Sequence, residues 1–173
     1  SAIGCAVLLL NVQADPQAAS GEVMGAAAIS FRDGLTEEQR AICTFGFDDP
    51  ERLNWHFIPR PRKGIPLKEL EGEALHRATA LIKSGLSESG YDQTMNVMSL
   101  EEVLYLLEPG DRAYRRDRRD PGKYYISLFG DVSIKGTRWG WRLEGHHLSL
   151  NYTIENGVVV STTPEFFGAN PGV

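Results

Sequence analysis

Cysteine is almost lacking: Cys5 and Cys43 are the 2 in the chain, so no disulfide framework holds this fold. Long apolar runs are lacking too. The stretch Ala2-Ile3-Gly4-Cys5-Ala6-Val7-Leu8-Leu9-Leu10 falls short of the roughly 20 residues a stable spanning helix needs. Positive charge is in deficit, with a net charge of −5, which excludes a chain-wide bias toward nucleic acid. There is no internal repeat and no low-complexity tract. HExxH, HxH, CxxC, P-loop and GxSxG patterns are all absent, which removes the motifs that carry a reaction in their spacing. What is present is globular in composition, 42% hydrophobic and 24% charged over 173 residues, enough for one domain with a sizeable core.

The short apolar run is followed by Val12 and Ala14, small residues at the two positions a signal peptidase reads. The expectation is a signal-peptide remnant over 1–14, a mature chain beginning near Asp15, and export to the periplasm or the extracellular space. The competing reading is a buried N-terminal strand or helix. A basic n-region and an initiator Met do not precede the run, so the chain reads as a fragment. Cys5 would leave with the signal peptide, and Cys43, apolar and late in a short helix, reads as core packing.

Residues 15–30 are small and polar without period and predict a flexible lead-in, followed by one domain over 31–173. Thr36 and Gln39 form a capping box that opens a helix to about Cys43. Residues 45–63 read as an irregular aromatic connector, because Pro50, Pro59 and Pro61 prevent a long helix. Pro66 is expected to start a helix with Leu67, Leu70, Ala74, Ala78 and Leu81 on its core stripe and His76 facing solvent. Two further helices are expected, Ser87 to Met98 and one opened by Ser99, stopped by Pro109-Gly110. The run Asp111 to Asp120 reads as a solvated loop with internal ion pairs, or else as an anion site built of arginine forks. Beyond Pro121-Gly122 the period changes to that of strands. Tyr124 to Phe129 is one, Trp139 to Ile154 is a long one, and Asn156-Gly157 is a hairpin turn returning Val158 to Ser161. The predicted class is α+β, N-terminal helices packed against a C-terminal antiparallel meander.

The pair His146-His147 is the chemical feature. On one regular strand, adjacent side chains point to opposite faces. Alternation therefore separates the two histidines and groups His146 with Glu144 and Arg142. Each face changes polarity near Gly145, which a β-bulge there would explain, as would passage of the strand into a pocket. In such a site Arg142 would hold a substrate carboxylate, while His146 acts as acid/base with its tautomer set by Glu144. A divalent metal, Zn or Cu, would need His146 and His147 to converge, with His56 or Asp48 from the connector. Trp139, Trp141 and Trp55, with Phe166-Phe167, would wall the pocket. The bland reading keeps one histidine in the core and the other in solvent.

The segments Arg119-Asp120-Pro121, Tyr124-Tyr125, Phe129-Gly130, Trp139-Gly140-Trp141-Arg142, Glu144-Gly145-His146-His147-Leu148-Ser149-Leu150-Asn151 and Thr163-Pro164 through Pro171 resemble the domain of unknown function 3500 family. Trp55 to Pro59, Gly64 to Leu67 and Leu86 to Tyr91 fit as well. The resemblance covers Phe31 to the C-terminus and implies a largely bacterial, often exported family whose members run beyond this chain's end. It carries no reaction. It also implies that Cys43 or the histidines have partners in such a C-terminal part. Three functions are expected to compete: a pocket for an unidentified small molecule or metal, a metal-dependent or acid/base hydrolase acting through His146, His147 and Glu144, and a structural polar network with no site.

Overall fold

A computed structural model describes residues 16–134 and 138–172. The expected signal remnant over 1–14 lies outside the described residues.

The first described element corrects an expectation. Residues 16–33, expected to be mostly a flexible lead-in, form helix α1 (Pro16–Asp33). Its inward stripe is Gly21, Met24, Gly25, Ala28 and Phe31, a 3–4 residue spacing that suits a helix. The period is hidden in the sequence because two of its members are glycines. Their lack of a side chain is what the packing uses: a Cβ on Gly21 would meet the Gly157 carbonyl oxygen at 2.1 Å, and one on Gly25 would meet the Ile134 Cα at 3.0 Å.

Helix α2 (Glu37–Cys43) carries the expected capping box in both directions: the Gln39 amide donates to Thr36 Oγ1 at 3.2 Å and the Thr36 amide donates to Gln39 Oε1 at 3.1 Å. Cys43 is buried, and burial pushes its thiol up to about 11. The connector contains β1 (Thr44–Phe45), a 3₁₀ turn over Pro50–Leu53 and β2 (Ile65–Pro66). Pro66 opens only a 3₁₀ turn over Leu67–Glu69, not the expected α-helix. Its neighbour Ile65 pairs with Ile126 in the sheet, and α3 (Gly72–Ser84) begins six residues later, burying Ala78, Leu81 and Ile82. His76 is exposed.

The two helices expected across Ser87 to Leu107 are one, α4 (Glu88–Leu107). Ser99 caps nothing; its hydroxyl donates to the Asn96 carbonyl at 2.7 Å within the helix. The merged helix carries one continuous buried stripe. Thr94, Val97, Met98, Glu101, Leu104 and Tyr105 are buried, while Met95, Val103 and Leu107 are exposed. The arginine run is not a loop but a short helix, α5 (Arg112–Arg118), capped by Asp111 whose Oδ1 accepts from the Tyr114 amide at 2.8 Å.

The sheet runs β1-β3-β4-β5-β6, with β3 (Tyr125–Gly130), β4 (Arg138–Gly145), β5 (Leu148–Glu155) and β6 (Val158–Ser161). The short strand β7 (Glu165–Phe167) pairs with β5. All pairings are antiparallel except β1 on β3. The class is therefore α+β, as expected, with the connector contributing two short strands to the meander.

The long strand Trp139 to Ile154 is instead a hairpin. The chain reverses at His146-His147, and Gly145 faces Leu148 across the ladder. This accounts for the polarity change near Gly145 without a bulge. Across the reversal odd residues of β4 pair with even residues of β5: Trp139 with Ile154, Trp141 with Tyr152, Leu143 with Leu150. That face is the hydrophobic core shared with α1, α3 and α4. The other face is polar and buried: Ser127, Arg142, Glu144, Ser149 and Asn151.

Candidate functional site at the histidine turn

The turn brings the two histidines together. Their ring centroids lie 4.1 Å apart in an edge-on arrangement, so the expected separation by strand alternation does not hold. His147 has φ 59°, a left-handed conformation uncommon for a non-glycine residue, although histidine adopts it more readily than most. Tertiary hydrogen bonds hold it there: its amide donates to the Phe57 carbonyl at 2.8 Å, and its carbonyl accepts from the Gly168 amide at 2.8 Å. The turn is thus clamped between the connector and the C-terminal segment. Burial, and then the neighbouring His146, hold the His147 imidazole below its ordinary value.

His146 turns toward the helices. Its Nδ1 contacts the Glu101 carboxylate of α4, and the Arg119 Nη1 lies 3.2 Å from the same nitrogen. Arg119 also reaches Glu101 Oε2 at 3.5 Å and donates from Nε to Glu108 Oε2 at 2.9 Å. Glu101 is 3% exposed, Arg119 3% and His146 9%, so the cluster is inside the protein, where an ion pair is screened weakly. With its proton on Nδ1 the ring donates to Glu101, because a carboxylate only accepts; with its proton on Nε2, Nδ1 accepts from Arg119 Nη1, because a guanidinium only donates. No described residue hydrogen-bonds the other nitrogen, Nε2. The Tyr124 hydroxyl donates to the His146 carbonyl at 2.9 Å, and Tyr124, almost fully buried, has its phenol pushed upward by desolvation.

His146 and Glu101 form part of the lining of a cavity of about 400 Å³ beside α5, the connector and the start of β3. Arg60, Arg62, Arg118 and Tyr124 line it as well. Two of these cations have no carboxylate partner among the described residues. Arg60 contacts the His56 ring at 2.6 Å, and Arg118 contacts the Tyr114 hydroxyl at 3.3 Å.

Arg142 and Glu144 belong to a different network, on the polar face beneath the connector. Arg142 is 0% exposed. It donates to the Glu51 carbonyl and carboxylate, each at 2.8 Å, and lies 2.9 Å from Glu144 Oε1. Glu144 Oε2 accepts from the His56 amide at 2.9 Å and lies 3.5 Å from Arg62 Nε. Arg62 Nη2 donates to the carbonyls of His56, Ile58 and Gly145. Two arginines and two glutamates therefore pin the connector to the end of the hairpin. The expected trio is divided: Arg142 with Glu144, His146 with Glu101.

The expected metal set does not assemble either. His146 and His147 adjoin, but the His56 ring is bonded to Asn54 and Arg60. Among the described residues no three His, Cys, Asp or Glu side chains gather as a possible metal site. The Arg119 guanidinium against His146 Nδ1 also disfavours a cation there. Of the expected aromatic wall, Trp139 is fully buried in the core. Trp141 stacks on Tyr152 with centroids 4.5 Å apart, and Trp55 shares with it a separate cavity of about 100 Å³. Phe166 stacks on Phe57 at 4.5 Å and meets His147 edge-on at 6.5 Å.

Glu101 and Glu51 escaped the sequence reading, and Arg119 was read there as part of the arginine run, not as a partner of His146. Glu101 had a signal: with residues 88–107 taken as one helix, it falls four after Val97 and three before Leu104, on the buried stripe.

Fold and site together define an α+β domain with a buried histidine–carboxylate–arginine cluster at a hairpin turn, opening on a cavity. The chain belongs to the family described as protein of unknown function (DUF3500), whose model matches residues 17–173. Comparison with curated proteins and with solved structures gave no match. No described helix is long and apolar enough to cross a membrane.

Proposed function

We infer that this domain binds a small anionic molecule in the cavity beside His146. The observation that carries the reading is the pair of guanidinium groups, Arg60 and Arg118, that line the cavity without a carboxylate partner. Guanidinium groups fit carboxylate and phosphate oxygens with two parallel hydrogen bonds. The cavity volume, about 400 Å³, falls within the size of ordinary small-ligand sites. Lys123 lines the same space but is paired with Asp117 at 2.7 Å, and Arg62 is committed to the connector. Arg142, expected from the sequence to hold the ligand, is bonded within its own network, and Arg60 and Arg118 take that role in this reading.

Inorganic phosphate and citrate serve as probes. Either should raise the melting temperature of the wild-type domain, with the effect shrinking as salt rises. Arg60→Ala/Arg118→Ala should lose the shift while keeping the unliganded melting temperature, since both side chains are exposed. A shift of equal size in the double variant would sink the reading. Export also belongs to the proposal, supported by the apolar run and small residues over Ala2 to Ala14. A reporter fused after residue 20 and assayed outside the cytoplasm tests it.

A further inference from the structure

We propose that His146 is the proton acceptor of this cavity, a general base whose orientation is set by Glu101. The proposal rests on the anion-binding reading and adds the chemistry done on the bound molecule. The imidazole is held on one side only: Nδ1 by the Glu101 carboxylate, with Arg119 beside it, while Nε2 has no partner among the described residues. His146 belongs to the cavity lining together with Arg60 and Arg118. An anion anchored by those two guanidinium groups lies in a cavity that His146 lines.

The step balances. Nε2 takes the proton of an O–H group, on the ligand or on a water beside it. The O–H electron pair stays on the oxygen, which becomes the nucleophile, and His146 becomes an imidazolium bonded to Glu101. Glu101, Arg119 and Glu108 together carry one net negative charge while His146 is neutral, and proton transfer neutralises the cluster. Glu101 is a positioning residue here. It fixes the tautomer in which Nε2 is free and stabilises the imidazolium that forms. Arg119 Nη1 lies against both Glu101 and His146 Nδ1, and Arg119 is itself held by Glu108. The substrate class is a small phosphorylated or carboxylated molecule whose reacting oxygen is hydroxyl or water.

Carbethoxylation with diethyl pyrocarbonate reads the nucleophilicity of an imidazole nitrogen directly, and peptide mass spectrometry separates His146 from His76. His76 is exposed and serves as the internal reference. In wild-type protein His146 should react although it is largely buried. Glu101→Gln should slow His146 about tenfold, less than the roughly hundredfold or more that a whole acid/base group contributes because the imidazole itself is kept, and leave His76 unchanged. Equal rates at His146 in both proteins would overturn the general base. Imidazole ¹⁵N shifts of wild-type protein test the same point without any substitution. The proposal requires Nδ1 protonated and Nε2 bare at neutral pH, and the opposite tautomer overturns it. Saturating phosphate should protect His146 from the reagent. Absence of protection, with the Glu101→Gln slowing intact, would overturn the anion site on which the proposal rests and not the orientation of the imidazole.

Discussion

At Arg142 the question is whether a buried polar residue is a ligand hook or a strut. Its guanidinium is 0% exposed and is bonded to Glu51 and Glu144. Removing it leaves the buried Glu51 carboxylate with no cation among the described residues, and Glu144 with Arg62 alone at 3.5 Å. Arg142→Ala should therefore cost about 3–5 kcal/mol in a denaturant titration, the usual penalty for breaking a buried ion pair from one side. A variant of wild-type stability would return Arg142 to the list of ligand groups. His147 makes a second prediction at this scale. Its folded-state affinity for a proton lies below the ordinary value of 6.5, so the unfolded chain binds the proton more readily. Stability from this group is present above about pH 6.5 and is lost as pH falls through the lower folded value. His147→Asn keeps a residue that tolerates positive φ and removes the titration. The fall in melting temperature between about pH 7.5 and pH 5 should be smaller in the variant than in wild type. Equal falls would show that His147 does not contribute.

Elements were legible where a local signal and the tertiary fold agreed. The Thr36–Gln39 box opens α2, and Asn156-Gly157 turns the last hairpin with φ 52° and 80°. They were misread where a local signal lost to the chain around it. Ser99 has the look of a cap, yet the buried stripe of α4 runs past it from Met98 to Glu101 and the helix continues. Substitution separates the two. Thr36→Ala should cost about 1 kcal/mol, and exposed Ser99→Ala should stabilise by about 0.5 kcal/mol, because one serves as a cap and the other is merely a poorer helix former than alanine. A destabilised Ser99→Ala would mean that the helix breaks there. The histidine turn was illegible for the converse reason. Histidines carry no turn signal, and the left-handed backbone of His147 is held by Phe57 and Gly168, far away in sequence. Glu101 could be recognised as buried only once α4 was read as a single helix.

At the scale of the whole molecule, α1 is the element that the sequence concealed most completely and that the fold uses most widely. It packs on α3 and on β6, so it closes the helical layer over the outer end of the sheet. The contact is made by the bare face of Gly21 against the Gly157 carbonyl of the last hairpin turn. Gly157 is itself required there by its φ of 80°. Two effects oppose each other when Gly21 becomes alanine. The helix gains about 1 kcal/mol of propensity, but the new Cβ would sit 2.1 Å from a backbone oxygen, which no side-chain rearrangement relieves. Either α1 or the hairpin turn must move, and overpacking of that kind costs about 1–3 kcal/mol. Gly21→Ala is therefore expected to be destabilising despite the better helix former, and Gly21→Val more so. Val23→Ala, two residues along and 58% exposed, controls for propensity. Chemical denaturation of the three variants decides the matter. If Gly21→Ala matched or exceeded wild type, α1 would not be seated on the turn, and Gly21 would be a helical glycine without a packing role.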